Sequence, residues 1–126
     1  MNIEQLKKLA IETSKNSYSP YSKFPVASVF VTKDGQVFSG VNVENASYGL
    51  TMCAERNAIF ASVTQGAKDI ETLVIYTPTQ EPTPPCGACR QVIAEFSKTA
   101  QITSFCDSDE ELNLSIEQLL PSSFSM

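Results

Sequence analysis

Two short stretches of this chain, Cys53-Ala54-Glu55 and Pro85-Cys86-Gly87-Ala88-Cys89, have to meet in space if either is to do chemistry. Together they supply three thiols and one acid, in a chain with no histidine. Three cysteines, two of them in C-x2-C spacing, suit a zinc cage whose fourth position is open. An open position separates a catalytic zinc from a structural one. A carboxylate two residues from a ligand can then move the protons of a water held there. The fold must therefore bring Cys53 beside Cys86 and Cys89 while leaving Glu55 facing the same point.

Local pattern says how. Both clusters fall where a helical pattern begins, at residues 53–65 and 87–98. A helix start offers free N–H groups and the positive end of the helix dipole, which favour thiolate over thiol. In a helix interior Cys53 and Glu55 would diverge by about 200°. They converge only if Cys53 stands at the very end of its helix, with Thr51 or Met52 as the expected cap.

The rest of the chain supplies a sheet to carry these helices. Residues 2–16 read as an amphipathic helix with Ile3, Leu6, Leu9, Ala10 and Thr13 on one stripe. Residues 26–32 and 37–41 read as a hairpin around Asp34-Gly35. Residues 42–51 have no clean period and read as a loop. An apolar strand at 73–77, a stiff proline-rich loop at 79–85, and strands at 102–106 and 112–114 follow. Ser115 with Gln118 resembles a capping box for a short last helix that ends at Pro121. The order α-β-β-α-β-α-β-β-α predicts an α/β protein: a mixed sheet with helices on both faces. With 126 residues, we expect one domain over 1–126.

Charge narrows the function. The net charge is −5, and the nine basic residues are scattered, with Lys7-Lys8 the longest run. Nucleic-acid binding wants Lys and Arg gathered on a face, so no nucleic-acid partner is expected. No apolar run approaches a membrane span. The N-terminus lacks the basic start and apolar core of a secretory signal, so a cytoplasmic location is expected. Four cysteines also allow two disulfides, but no secretion signal accompanies them. C-x2-C alone also fits a redox pair or half of a structural zinc knuckle. The fourth cysteine, Cys106, falls in a buried-type strand and reads as a small core residue. Glu55 alone would also suit a first-turn acid placed for the dipole.

A three-thiolate zinc site carries excess negative charge. The only two arginines, Arg56 and Arg90, adjoin the two motifs. Arg56 is the first candidate to donate hydrogen bonds to a ligating sulfur and withdraw charge from it, and Arg90 the second. The plainer alternative for both is a surface ion pair.

Ligand-x-Glu, a gap, then Pro-Cys-x-x-Cys is the base-deaminase signature, here in an all-cysteine form. Further marks join it: Tyr21-Ser22-Lys23-Phe24-Pro25-Val26, Gly40-Val41-Asn42-Val43-Glu44-Asn45-Ala46-Ser47-Tyr48, Cys53-Ala54-Glu55-Arg56, Pro85-Cys86-Gly87-Ala88-Cys89-Arg90-Gln91, and Leu119-Leu120-Pro121 with Phe124. Over nearly its whole length the chain resembles the small homotetrameric cytidine deaminases of nucleoside salvage. The resemblance implies a three-layer α/β/α fold on a five-stranded mixed sheet. It implies one zinc per chain, on Cys53, Cys86 and Cys89, with Glu55 as the catalytic acid–base. By matching position, Asn42 and Glu44 would bind the ribose 3′-hydroxyl and Phe24 would stack on the pyrimidine. The Ala54 backbone N–H would hold the base, and Tyr48 and Phe124 would reach into a neighbouring subunit's pocket. One departure is Ala27, where glycine is common; its methyl is expected to narrow the space behind Phe24.

The expected activity is hydrolytic removal of the 4-amino group from cytidine and deoxycytidine, as part of pyrimidine salvage. Two rivals are a deaminase of a cytosine-bearing antibiotic nucleoside and a non-catalytic zinc-binding interaction protein. The Asn42-Val43-Glu44-Asn45 motif speaks against the first, and an intact Glu55 against the second.

Overall fold

The computed structural model describes all 126 residues. The first helix, α1 (Ile3–Ser14), opens on a reciprocal capping box. The Gln5 N–H donates to Asn2 Oδ1 and the Asn2 N–H to Gln5 Oε1, both at 2.9 Å. This satisfies two backbone donors that a helix start otherwise leaves orphaned. The expected stripe is narrower than its sequence suggests: Leu6 and Ala10 are fully buried, whereas Ile3 is exposed.

Strands β1 (Ala27–Val31) and β2 (Val37–Val41) form the expected hairpin, registered Phe30 on Phe38. Gly35 takes φ +92° in its turn, a conformation that favours glycine. After a single 3-10 turn at Tyr48–Leu50 come α2 (Ala54–Thr64), β3 (Thr72–Tyr76), α3 (Gly87–Phe96), β4 (Gln101–Phe105), β5 (Glu111–Ser115) and α4 (Ile116–Leu119). The 3-10 turn lies in the stretch expected as plain loop. The Ser115–Gln118 capping box is present as expected.

The five strands form one sheet in the order β2-β1-β3-β4-β5. Only β3 and β4 run parallel; the other three pairings are antiparallel. The parallel step is the one bridged by α3, as a parallel connection needs a crossover. Strand β1 is buried along its whole length because helices cover both faces. Leu6 and Ala10 of α1 pack on one face with Ala27, Val29, Val31, Val74, Tyr76 and Phe105. Helices α2, α3 and α4 cover the other face, where Ile59 of α2 and Ile93 of α3 pack over Phe30, Leu73, Ile75 and Ile102. Each of these large side chains contributes about 2 kcal/mol by leaving water. The result is the expected three-layer α/β/α architecture. No helix is long and apolar enough to cross a membrane.

Ala27 belongs to the α1 side of the sheet, fully buried in the cluster with Leu6 and Ala10. Alternation along β1 sends its methyl into that layer, away from the α2 face, where it is ordinary core packing. Cys106 is buried as expected, its Sγ 3.2 Å from Ser108 Oγ and 3.5 Å from Glu110 O.

Helix α2 is seated on β2 by two residues outside the recognised chemistry. A Cβ on Gly40 would stand 2.5 Å from both Ala54 O and Ala58 N, so only glycine lets strand and helix come this close. Asn57 Nδ2 donates to Val41 O at 2.8 Å and fixes the same contact. The start of α2, where Cys53 stands, is thus positioned by the strand beneath it.

Candidate active site

Cys53 is itself the N-cap of α2, and Cys86 the N-cap of α3, both in extended conformation (ψ 154° and 167°). The cap falls one or two residues later than the sequence suggests. At that position Cys53 escapes helical geometry and can share a target with Glu55. Cys89 lies one turn into α3 and is buried. The sulfurs of Cys53, Cys86 and Cys89 all lie within 4.8 Å of one another. Cys53 and Cys86 are 3.8 Å apart, and all four cysteines are free. Cys106 is not part of the cluster.

The two arginines differ in role. Arg56 Nη2 donates to Cys53 Sγ at 3.3 Å. Arg90 turns away: its Nε donates to Pro85 O and its Nη1 to Leu119 O, both at 2.8 Å. It ties the loop before α3 to the end of α4 and is neither sulfur donor nor surface ion pair.

The cluster polarises its own protons. The neighbouring Cys89 thiol first, and then the Arg56 guanidinium, hold the Cys53 thiol down to about 5 despite partial burial. Cys89 is pushed upward by the neighbouring Cys53 sulfur and by burial. Three sulfurs this close favour one thiolate and resist the second unless a cation joins them. Glu55 is 4% exposed. Burial pushes its carboxyl up to about 7; the Cys53 charge adds to this, while its own backbone N–H and Arg56 pull the other way.

A pocket of about 180 Å³ opens over the cluster. Its walls include Asn42, Cys53, Ala54, Glu55, Thr83 and Pro84. Thr51 joins it to a second cavity of about 370 Å³ that holds Glu44 and Tyr48. The segment carrying Asn42 and Glu44 is held from both sides. Val43 exchanges two backbone hydrogen bonds with Met52, and Tyr18 pairs with Asn42 O and the Glu44 N–H.

Asn42 is nearly saturated. Its Oδ1 accepts from Ser17 Oγ at 2.5 Å and from the Val26 N–H at 3.0 Å, and its Nδ2 donates to Phe24 O at 2.8 Å. An amide has two acceptor and two donor sites, so one N–H remains. Glu44 accepts from the backbone of Tyr21 and Ser22 at 2.9 and 3.1 Å and from the Ser22 hydroxyl. These bonds, that from the Ser22 hydroxyl first, lower its pKa and keep it ionised. Ser22 Oγ also accepts from the Phe24 N–H at 3.0 Å.

Phe24 is not among the pocket walls. Tyr48 and Phe124 are 77% and 70% exposed and lie outside the pocket that holds Glu55. Sequence reasoning missed Ser17, Ser22, Gly40 and Asn57. Gly40 and Ser22 sit inside the recognised motifs, but their roles depend on which backbone lies beside them, and no local pattern carries that.

Comparison with known proteins agrees with this geometry. Residues 1–105 match the family model described as the cytidine and deoxycytidylate deaminase zinc-binding region. The chain belongs to that family. The cytidine deaminase of Halalkalibacterium halodurans is 40% identical over 126 residues, covering 99% of this chain and 96% of that one. The cytidine deaminase of Sporosarcina psychrophila is also 40% identical, over 99% of this chain and 93% of that one. The crystal structure of cytidine deaminase from Burkholderia pseudomallei superposes with a TM-score of 0.93 at 39% identity, over 98% of this chain and 100% of that one.

The donor set fits zinc. A tetrahedral zinc with sulfur arms of about 2.3 Å has sulfur–sulfur edges of about 3.8 Å. The Cys53–Cys86 separation of 3.8 Å is such an edge. The three thiols leave one of four positions free, and the pocket opens on the same point.

Proposed function

We propose that this deaminase converts cytidine and 2′-deoxycytidine to uridine and 2′-deoxyuridine, with Cys53, Cys86 and Cys89 holding one zinc and Glu55 moving the protons. The observation that carries the reading is the buried Glu55 carboxyl on the first turn of α2, beside three clustered sulfurs and facing a pocket. Zinc in that cage supplies a Lewis acid that makes water a nucleophile at neutral pH. Glu55 takes a proton from the attacking water as its oxygen bonds to C4, and delivers that proton to N3. It then takes the second proton of that water from the new C4 hydroxyl and passes it to the amino nitrogen. The C4–N4 bond breaks and ammonia leaves, so one water is consumed per nucleoside. Arg56, donating to Cys53 Sγ, draws negative charge from the sulfur cage.

Substrate binding follows from the donors and acceptors left over. The remaining Asn42 N–H can only give a hydrogen bond, and the ionised Glu44 can only accept one. A sugar hydroxyl between them accepts from Asn42 and donates to Glu44. That fits the ribose 3′-hydroxyl, and it argues against sugars whose 3′ position lacks a donor. The Ala54 N–H holds the base and Phe24 stacks on it. The antibiotic-nucleoside and non-catalytic readings gain nothing from this geometry.

Assembly belongs to the same proposal. Tyr18, Tyr21, Val43, Tyr48, Leu50 and Phe124 are all more than two-fifths exposed. A patch of such residues marks an interface. Tyr21 and Tyr48 stack edge to face, 6.4 Å between centroids, at the mouth of the larger cavity. We read the enzyme as a homotetramer with shared sites, each chain a single domain, acting in the cytoplasm in pyrimidine salvage without a nucleic-acid partner. Light scattering on active enzyme tests this: a fully active 13.7 kDa monomer would end the shared-site reading.

The deciding experiment mixes purified protein with cytidine and follows the fall in ultraviolet absorbance on loss of the 4-amino group, alongside metal analysis. Turnover with close to one zinc per chain is expected. Zinc-loaded protein that leaves cytidine unchanged would refute the proposal.

A further inference from the structure

The loop from Thr77 to Pro85 leaves the end of β3, forms one wall of the pocket at Thr83 and Pro84, and delivers Cys86 to the sulfur cluster. Pro82, Pro84 and Pro85 have no N–H to give. Its early part is tied down well. The Asp107 N–H donates to Thr79 O at 2.8 Å, and Ser108 Oγ donates to Gln80 O at 2.7 Å. Across residues 82–84, the single hydrogen bond is that of the Thr83 hydroxyl, 3.4 Å from Thr77 Oγ1. The near-wall of the pocket therefore hangs on a hydroxyl.

The direction of that contact can be worked out. Thr79 Oγ1 donates to Glu81 O at 2.7 Å, which uses its only proton. Thr77 Oγ1, 2.8 Å from Thr79 Oγ1, must then donate to it. Its own proton being used, Thr77 can only accept from Thr83. The hydroxyls form a one-way chain, Thr83 to Thr77 to Thr79 to Glu81 O. Thr77 is its hub and is fully buried, so no water replaces it.

We propose that Thr77 is a positioning residue for the nucleoside pocket, holding the Thr83–Pro84 wall through this hydroxyl chain. The inference rests on the deaminase reading, because it takes the ligand of that pocket to be the nucleoside. The Thr83 proton is turned away from the ligand, so Thr83 presents an acceptor or a methyl and never a donor. Thr77 touches no substrate; it acts through Thr83.

The test compares Thr77→Val, Thr77→Ser and Thr83→Val as purified zinc enzymes, with cytidine as substrate. Valine keeps the shape and removes the hydroxyl. In Thr77→Val we expect KM to rise about tenfold, as for one lost hydrogen bond in a buried setting, with kcat within about twofold. Thr77→Ser should restore KM. Thr83→Val should raise KM as Thr77→Val does, and the double variant should be no worse than either, since both break one chain. An unchanged KM in Thr83→Val, or a double variant whose effects multiply, would overturn the proposal. So would a Thr77→Val that melts earlier but keeps the wild-type KM. If Thr77→Val does not fold, Thr83→Val decides alone. Wild-type protein inert toward cytidine would instead sink the deaminase reading. Zinc release to a chelating dye then still tests the wall through Cys86: severalfold faster release from Thr83→Val supports it, and equal release overturns it.

Discussion

The first turns of α2 and α3 face one sulfur cluster and are spelled almost alike, Cys53-Ala54-Glu55-Arg56 against Cys86-Gly87-Ala88-Cys89-Arg90. Each begins with a cysteine at the N-cap. The third residue after a cap can reach back toward it, as in a capping box. In α2 that residue is Arg56, and it donates to the cap sulfur. In α3 it is Cys89, which supplies the third sulfur, and the arginine falls one place later, where it faces Pro85 O and Leu119 O instead. The second residue differs as well: a buried acid in α2, an exposed alanine in α3. In the proposed reaction one helix start therefore carries proton chemistry and charge compensation, and the other carries most of the metal ligation. A shift of one position separates a cationic partner of sulfur from a backbone clamp.

The largest expected effect breaks this comparison at its second residue. Glu55→Gln is nearly isosteric and should fold and keep zinc. Turnover should fall by at least ~100-fold, the low end for lost general acid–base help. Steady-state rates with metal analysis check it; a variant keeping half its activity would remove Glu55 from the mechanism.

The next effect concerns seating. Gly40→Ala puts a methyl 2.5 Å from backbone atoms of α2, which cannot swing aside as a side chain can. We expect a loss of about 3 kcal/mol, at the upper end for overpacking. Chemical denaturation measures it. A loss below about 1 kcal/mol would show that α2 slides freely on β2.

Much of this was legible in advance. The element order, the mixed sheet and the two helix starts followed from hydrophobic period and from cap and turn residues, because those signals are local. The sulfur cluster was legible because its spacing is chemical. Gly40 as the seat of α2 was not, because its need for glycine arises only once Ala54 and Ala58 of a later helix fold back across it. Arg56 and Arg90 each adjoin a motif, with Arg56 the first candidate for a sulfur donor and Arg90 the second. Only the cap register, Cys53 rather than Thr51 or Met52, tells them apart. Asn42 carried a binding role by resemblance, while its three hydrogen bonds reach Ser17, Phe24 and Val26, distant in the chain, where no local pattern announces them.

The arginines give the third contrast. Arg56→Ala should weaken zinc retention by about tenfold and lower activity with it, the range for lost partners of metal ligands. Arg56→Gln keeps a donor and should do less harm. Arg90→Ala should leave zinc retention near wild type and lower stability by about 2 kcal/mol, as two charge-assisted bonds to backbone are lost. Competition with a chelator and thermal melting separate the two. Equal zinc loss from both alanine variants would abolish the distinction.

The smallest effect is at Gly87, the first residue of α3. A Cβ there meets nothing within 4 Å in the chain, the opposite of Gly40. Its φ is not positive, so no strain forbids alanine. Alanine also restricts the unfolded chain more than glycine does, a gain of about 0.5 kcal/mol at a compatible site. Gly87→Ala should therefore hold or slightly raise stability where Gly40→Ala lowers it sharply. The measurement is denaturation of the two variants side by side, with light scattering on each. A Gly87→Ala protein that folds normally but no longer assembles would place a second chain against the start of α3. A Gly87→Ala protein as unstable as Gly40→Ala, with its assembly intact, would show that both helix starts are seated on backbone, and the contrast between them would fall.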